Sequence, residues 1–189
     1  MGSSYDSEVR TEMAKSQQTL GHSSHEAITA DFEWSVLRFH HAFERYCLHV
    51  ANVAGLGAVS FSELELLIVV CMQDQPLTAA QIARQMNQPV NNVHYGLGKL
   101  ASSGLVRKTR ESRGNGAKNF VYTGAEKGNV LIGQYAAIRH KVLTEQTRQI
   151  EKVDESMRMV TKFLNLLASV YDEAGRAAAT QLPAPQRSA

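Results

Sequence analysis

The sequence predicts a mainly α-helical fold that carries one small β-hairpin, and three observations support this prediction. Apolar residues recur with helical spacing near both ends of the chain, helix-capping patterns occur between them, and a glycine-rich segment separates two short strand-like runs. The 189 residues are 43% hydrophobic and 20% charged, which excludes a mostly disordered chain. No apolar run reaches the roughly 18 residues that a membrane-spanning helix needs, so we expect no membrane span.

Two apolar seams predict the long helices at the ends of the fold. In the first seam, from Phe32 to Val53, apolar residues alternate at spacings of four and three, and Gly55 then ends the helix. The second seam, from Ile150 to Tyr171, has the same spacing. Together they form more apolar surface than one small domain covers, which predicts burial in a second copy of the chain. The alternative is that the seams pack on each other within a monomer.

Three shorter helices and then the hairpin are predicted between the seams. Ser60 with Glu63 and Thr78 with Gln81 form capping-box patterns that mark two helix starts, and Pro89 suits the start of a third helix. The hairpin strands are expected at 105–110 and 119–123, after which helical spacing returns as two helices. A short helix, a turn, a second helix and a basic hairpin together describe a winged helix-turn-helix.

The predicted organisation has five parts, because both ends are polar or proline-containing and lack periodicity. They are a flexible arm (1–25), an N-terminal dimerisation helix (26–58), a winged helix-turn-helix domain (59–124), C-terminal dimerisation helices (125–176) and a disordered tail (177–189).

Positive charge is concentrated in the middle of the chain. Residues 76–127 contain eight basic and two acidic side chains, a net charge of +6, whereas the whole chain has a formal net charge of +2. A basic segment within a weakly charged protein favours a polyanionic partner, most often nucleic acid.

The second helix of the helix-turn-helix has two chemically different sides. Its core side is predicted to consist of Val90, Val93, Leu97 and Leu100. Its opposite side presents the candidate major-groove contacts Asn91, Asn92, Tyr95 and Lys99. Asn can pair with adenine, and Lys with guanine or phosphate, although such residues also simply solvate a helix face. The basic residues that follow favour the DNA interpretation, and they are Arg107, Lys108, Arg110, Arg113 and Lys118.

The sequence resembles the MarR family of bacterial transcription regulators over about residues 30–175. The segments 77–83 and 93–106 carry the resemblance, the second ending in the family's Gly-Leu-Val before basic residues. The wing departs from the usual Asp-Arg-Arg, so either Arg113 or Lys118 would take the wing-tip arginine role. The resemblance implies a homodimer that represses transcription from promoter DNA. Its two-fold symmetry predicts a pseudopalindromic operator with half-sites about 10 base pairs apart. The lack of a secretory-signal pattern and of a disulfide framework makes the cytoplasm the expected location.

The resemblance also implies a small-molecule pocket between the dimer helices and the winged helix. A polar-aromatic set on the first helix is the candidate lining, namely Trp34, Arg38, His41, Arg45 and His49. Arg38 and Arg45 could bind the carboxylate of an anionic aromatic effector, whereas ion pairs with nearby acids are the alternative role for them.

Other functions have less support in the sequence. The seven histidines and two cysteines form no metal-ligand spacing, and no phosphate-binding loop or nucleophile motif is present, so we expect no metal, no cofactor and no enzymatic activity. Cys47 could sense oxidants, as a first-helix cysteine does in some family members, or could be a buried inert thiol. A winged-helix module that binds another protein is the alternative to a DNA-binding regulator.

Overall fold

The computed structural model describes residues 24–112 and 118–181. Within these ranges the chain forms six helices and three short strands, which confirms the mainly α-helical fold with a small hairpin. The elements are α1 (Ser24–Val53), α2 (Phe61–Cys71), β1 (Leu77–Thr78), α3 (Ala79–Met86), α4 (Val90–Ser102), β2 (Val106–Ser112), β3 (Lys118–Gly124), α5 (Glu126–Thr147) and α6 (Val153–Gln181).

The chain divides into two compact units, the first extending to Arg139 and the second beginning at His140, within α5. The first unit contains α1 to α4, the three strands and most of α5. The second contains the end of α5 and all of α6, whose apolar seam residues are largely exposed.

The core of the first unit lies where α2, α3 and α4 pack together. Its largest fully buried side chains are Leu64, Leu67, Ile82, Val93, Leu97 and Leu100. Burying a side chain of this size contributes about 1.5–3 kcal/mol of transfer free energy. The prediction for α4 was wrong at Val90, which is 39% exposed because it is the first residue of the helix, and Gly96 completes the buried stripe instead.

Both predicted capping boxes are present. At the start of α2 the Ser60 hydroxyl accepts from the Glu63 amide, while the Glu63 carboxylate accepts from the Ser60 amide. Thr78 and Gln81 make the same reciprocal pair before α3. These bonds satisfy amides that the first helical turn leaves without intrahelical partners, so the local sequence fixes where both helices begin.

The sheet is antiparallel with strand order β1–β3–β2 and therefore has one strand more than the predicted hairpin. In the added strand, Leu77 pairs with Tyr122 and Thr78 pairs with Val121. Two residues are too few to show an alternating pattern, and their pairing partner is distant in sequence, so this strand had no local signal.

Two predicted boundaries near the chain ends differ from the structure. Helix α1 begins at Ser24, before the predicted start at residue 26, and the remainder of the predicted arm (1–23) lies outside the described residues. Helix α6 continues to Gln181, so the prediction of a tail from Ala177 was wrong for its first five residues. Alanine, the best helix former, occupies positions 177–179, and proline follows only at position 183.

Candidate nucleic-acid interface

Helix α4 presents a continuous polar face on the first unit. Asn91, Asn92, Tyr95 and Lys99 are all exposed, as the sequence predicts for a recognition helix, and Tyr95 is 70% exposed. One residue every 100° places the four within about 100° of the helix circumference. The buried residues Val93 and Leu97 hold the opposite side of α4 in the core, so this polar face points outward.

The turn between α3 and α4 sets the position of the recognition helix. Asn87 ends α3 with a left-handed backbone (φ 50°), a conformation that asparagine tolerates better than most residues. The Gln88 amide then donates to the Ala83 carbonyl at 2.9 Å. Because this bond satisfies a backbone carbonyl near the end of α3, the chain can reverse direction within three residues and begin α4 at Val90.

The two glycines of α4 have different surroundings. A β-carbon at Gly96 would overlap Leu66 Cδ1 of α2, whereas one at Gly98 would have no neighbour within 4 Å. Gly96 therefore permits the close approach of α4 to α2. Gly98 lies on the exposed face, where the lack of a side chain leaves the backbone accessible.

Lys99 forms an ion pair with another residue of the same chain. Its Nζ lies 3.1 Å from Glu63 Oε1 and 4.8 Å from the centre of the Tyr95 ring. The backbone amide of Ser60 and, to a lesser extent, Lys99 lower the pKa of Glu63, while the hydrogen bond that Lys99 donates to the Glu63 carboxylate raises the pKa of Lys99. Both side chains are therefore charged together over a wide pH range.

The exposed surface of α4 extends beyond the four candidate contacts. His94, Gly98 and Ser102 line a shallow open depression together with Tyr95 and Lys99. The Ser102 hydroxyl donates to the Gly98 carbonyl at 2.9 Å. At 100° per residue His94 lies about 100° from Tyr95, on the flank of α4 between the polar face and the core, so helical spacing alone does not select it.

The basic residues of the wing strand β2 do not all point the same way. Arg107, Lys108 and Arg110 are exposed, as predicted. Because side chains alternate along a strand, Lys108 and Arg110 share one face and Arg107 lies on the other. Lys108 Nζ lies 4.0 Å from the centre of the Phe120 ring, a cation–π contact that holds the ammonium group of this β2 residue against β3.

The tip of the wing lies partly outside the described residues. Arg113 is among the residues that are not described, and Lys118 is the first residue of β3, where its backbone pairs with Ser112. The choice between Arg113 and Lys118 for the wing-tip contact therefore stays a prediction.

The proposed effector residues Trp34, Arg38, His41, Arg45 and His49 are all exposed on α1. Helical geometry places them on one face of α1, roughly opposite the apolar seam. None of them lines the depression on α4 or the cavity beside α5, and His41 Nδ1 lies 4.0 Å from Glu44 Oε2.

A separate cavity of about 370 Å³ lies between the α1–α2 connection, α4 and α5. Leu56, Leu100, Leu105 and Leu131 provide apolar lining, and Glu63, Lys99 and Lys127 provide charged lining. The Glu63–Lys99 pair therefore forms part of its wall.

The two cysteines are free thiols in apolar surroundings. Cys47 is buried beside the Tyr135 hydroxyl, and burial raises the pKa of Cys71 to about 11.

Among residues 24–112 and 118–181, no three histidine, cysteine or acidic side chains are grouped as metal ligands. Within the same ranges, no helix combines the length and apolarity that crossing a bilayer requires.

Comparison with known proteins finds matches in both a domain family and solved structures. A family model described as a helix-turn-helix domain matches residues 61–109, which include α2, α3 and α4. A search of curated protein sequences finds no match.

Three solved structures illustrate the shared fold, each covering about three quarters of this chain. A MarR-family transcriptional regulator from Rhodococcus sp. RHA1 has 17% identity and a TM-score of 0.56, with 76% of this chain and 94% of that chain covered. CouR from Rhodococcus jostii RHA1, bound to p-coumaroyl-CoA, has 16% identity, 75% and 94% coverage and a TM-score of 0.59. Streptococcus pneumoniae FabT in complex with DNA has 16% identity, 76% and 98% coverage and a TM-score of 0.57.

These matches agree with the elements described above, since a helix-turn-helix made of α3 and α4 is followed by the wing strands β2 and β3. The chain therefore has the winged helix-turn-helix fold of the MarR-family transcriptional regulators, as its sequence resemblance predicts.

Proposed function

We propose that the protein is a MarR-family transcriptional regulator that binds double-stranded promoter DNA. The observation that carries this proposal is the exposed polar face of α4, formed by Asn91, Asn92 and Tyr95 beside the basic strand β2. Amide side chains can make paired hydrogen bonds to adenine in the major groove, which admits one α-helix. FabT, which has the same fold, was solved in complex with DNA.

The wing would supply the part of binding that does not depend on sequence. Arg107, Lys108 and Arg110 are exposed, and they occupy both faces of β2. Each lysine or arginine that neutralises a phosphate releases counterions, which makes affinity fall with salt. The strand would therefore hold the protein on DNA while α4 selects the sequence.

A homodimer is the second part of the proposal. Phe39 on the α1 seam is 63% exposed, and the α6 seam residues Met157, Val160 and Leu164 are exposed as well. Apolar surface of this extent marks an interaction site in a water-soluble fold. Two copies related by a two-fold axis would bind a pseudopalindromic operator with half-sites about 10 base pairs apart.

Repression and its release by a small molecule complete the proposal. CouR, another protein with this fold, was solved bound to p-coumaroyl-CoA. Arg38 and Arg45 are exposed on one face of α1, where their guanidinium groups could pair with the carboxylate of an anionic aromatic effector. If no member of a panel of aromatic acids weakens DNA binding, this part of the proposal is wrong.

Fluorescence anisotropy tests the central proposal. The purified protein is titrated onto a labelled duplex from the promoter region of its own gene and onto a scrambled duplex, across a salt series. Sequence-dependent binding with a steep salt dependence is expected for a regulator. Failure to bind either duplex at low salt would contradict DNA binding and favour a protein partner for the winged helix.

Analytical ultracentrifugation tests the dimer with two matched variants. Phe39→Glu places a charge on the α1 seam, and we expect it to shift the protein toward monomer. Leu37→Glu places the same charge at a 49% exposed apolar residue on the opposite side of α1, and we expect the dimer to persist. A monomeric wild-type protein, or equal effects of both changes, would contradict the proposed interface.

A further inference from the structure

Lys99 lies on the proposed DNA-binding face, but its charge is already bound within the protein. Its ammonium group is 3.1 Å from Glu63 on α2 and is held above the ring of Tyr95, one turn earlier on α4. A lysine that contacts a base or a phosphate would have to leave this carboxylate. This ion pair distinguishes Lys99 from Asn91 and Asn92, although all three lie on the same exposed face of α4.

Glu63 is itself fixed in place. One carboxylate oxygen, Oε2, accepts from the Ser60 amide at 3.0 Å and caps α2, while the other, Oε1, meets Lys99. The side chain is only 12% exposed. In an ordinary surface ion pair, the entropy cost of ordering two flexible side chains offsets most of the favourable free energy. Here the capping bond and the surrounding packing already hold the Glu63 side chain in place.

The helix that carries Glu63 is also held firmly against α4. Gly96 lets α4 approach Leu66 of α2 without a side chain between them. Because both helices belong to the first compact unit, the carboxylate lies against the last turn of α4.

We infer that Glu63 is a positioning residue that limits the sequence-independent part of DNA affinity by holding Lys99 away from the phosphates. This inference rests on the proposed DNA binding. A free lysine at this position would add a phosphate contact to every DNA sequence equally, which raises affinity without raising discrimination. By binding Lys99, Glu63 lowers nonspecific affinity and, through the lysine, orients the Tyr95 ring.

The test uses the scrambled duplex, so it does not depend on knowing the operator. Glu63→Gln keeps an oxygen that can cap α2 but removes the charge that binds Lys99. We expect the salt dependence of binding to steepen by about 0.9 in the logarithmic slope, with roughly five- to tenfold tighter binding near 0.1 M salt. Thermal melting of each variant checks that it is folded.

Two further variants separate this mechanism from a general change of charge. Glu126→Gln, at an exposed site in the first turn of α5, removes one acid elsewhere and should cause a smaller change. In a Lys99→Met background, Glu63→Gln should bring no further gain. A gain that persists without Lys99, or one matched by Glu126→Gln, would overturn the inference.

The two proposals fail in different ways. If the wild-type protein binds DNA and Glu63→Gln has an unchanged salt slope, the positioning role of Glu63 is overturned and DNA binding stands. If the wild-type protein binds neither duplex, both are overturned.

Discussion

Gly96 of α4 lies against Leu66 of α2 so closely that a β-carbon at position 96 would overlap the leucine Cδ1 atom. Leu66 is itself buried and has little space into which it could move. The glycine is therefore a packing requirement, and α4 owes its position over α2 partly to a missing side chain. Gly98, two residues later, has no such neighbour.

These two glycines predict opposite effects on stability. Gly98→Ala should stabilise the protein by about 1 kcal/mol, because alanine has the higher helix propensity and meets no steric obstacle. Gly96→Ala gains the same propensity but forces the core to repack at a cost of about 1–3 kcal/mol, so its net effect should be a loss of up to about 2 kcal/mol. Urea unfolding at one fixed protein concentration measures both free energies. Equal stabilisation by the two changes would show that α4 does not approach Leu66 this closely.

Local chemistry made much of this fold predictable from the sequence. The capping boxes at Ser60 and Thr78 placed two helix starts, and Pro89 indicated where the recognition helix begins. The exposed positions of α4 followed from helical spacing alone. Such signals lie within a few residues of the feature that they determine, and this is why they can be recognised without a structure.

The features that could not be predicted depend on contacts between distant segments. Strand β1 exists because Leu77 meets Tyr122, and the glycine at position 96 is required because Leu66 lies opposite it. The pairing of Lys99 with Glu63 likewise joins the last turn of one helix to the first turn of another. Helical spacing alone therefore predicts Lys99 on the DNA surface and gives no sign of its partner.

The two cysteines provide a prediction about the oxidant-sensing alternative. Cys47 is buried, and burial raises the pKa of Cys71 to about 11, so very little Cys71 thiolate is present at pH 8. We expect both thiols to react slowly with a disulfide reagent such as DTNB in the native protein and rapidly in denaturant. The single variants Cys47→Ser and Cys71→Ser assign each signal. Rapid native labelling of Cys47 would instead support the oxidant sensor.

Two alanine variants can distinguish the proposed base contacts of α4 from the proposed phosphate contacts of the wing. Asn91→Ala should weaken binding to the specific duplex by about 1–3 kcal/mol and change binding to the scrambled duplex little, because it removes a base contact. Arg110→Ala should weaken binding to both duplexes and reduce the salt slope by about 0.9, because it removes a phosphate contact. Anisotropy titrations at several salt concentrations measure both quantities. The assignment is wrong if Asn91→Ala weakens binding to both duplexes equally.

Two acids of α2 predict opposite dependences of stability on pH. The Ser60 amide lowers the pKa of Glu63, so the folded state favours its ionised form. Its contribution is present above the ordinary glutamate pKa of about 4.3 and is lost as the pH falls through the lower pKa of the folded state. Burial raises the pKa of Glu65, a shift that His40 opposes and Glu44 increases, both from α1. Ionised Glu65 therefore costs stability above its raised pKa, and acid relieves this cost.

Glutamine variants of the two acids test this difference in sign. At pH 7 Glu63→Gln should be less stable than the wild-type protein, and the difference should shrink as the pH falls below about 4. Glu65→Gln should be more stable than the wild type at pH 7, because it removes a charge that burial disfavours, and its advantage should also disappear in acid. Urea unfolding between pH 3 and pH 8 gives the free energies, with comparison at equal protein concentration. Since both changes remove one negative charge from the same helix, a general charge effect would shift the two variants in the same direction, whereas the different environments of Glu63 and Glu65 require shifts of opposite sign.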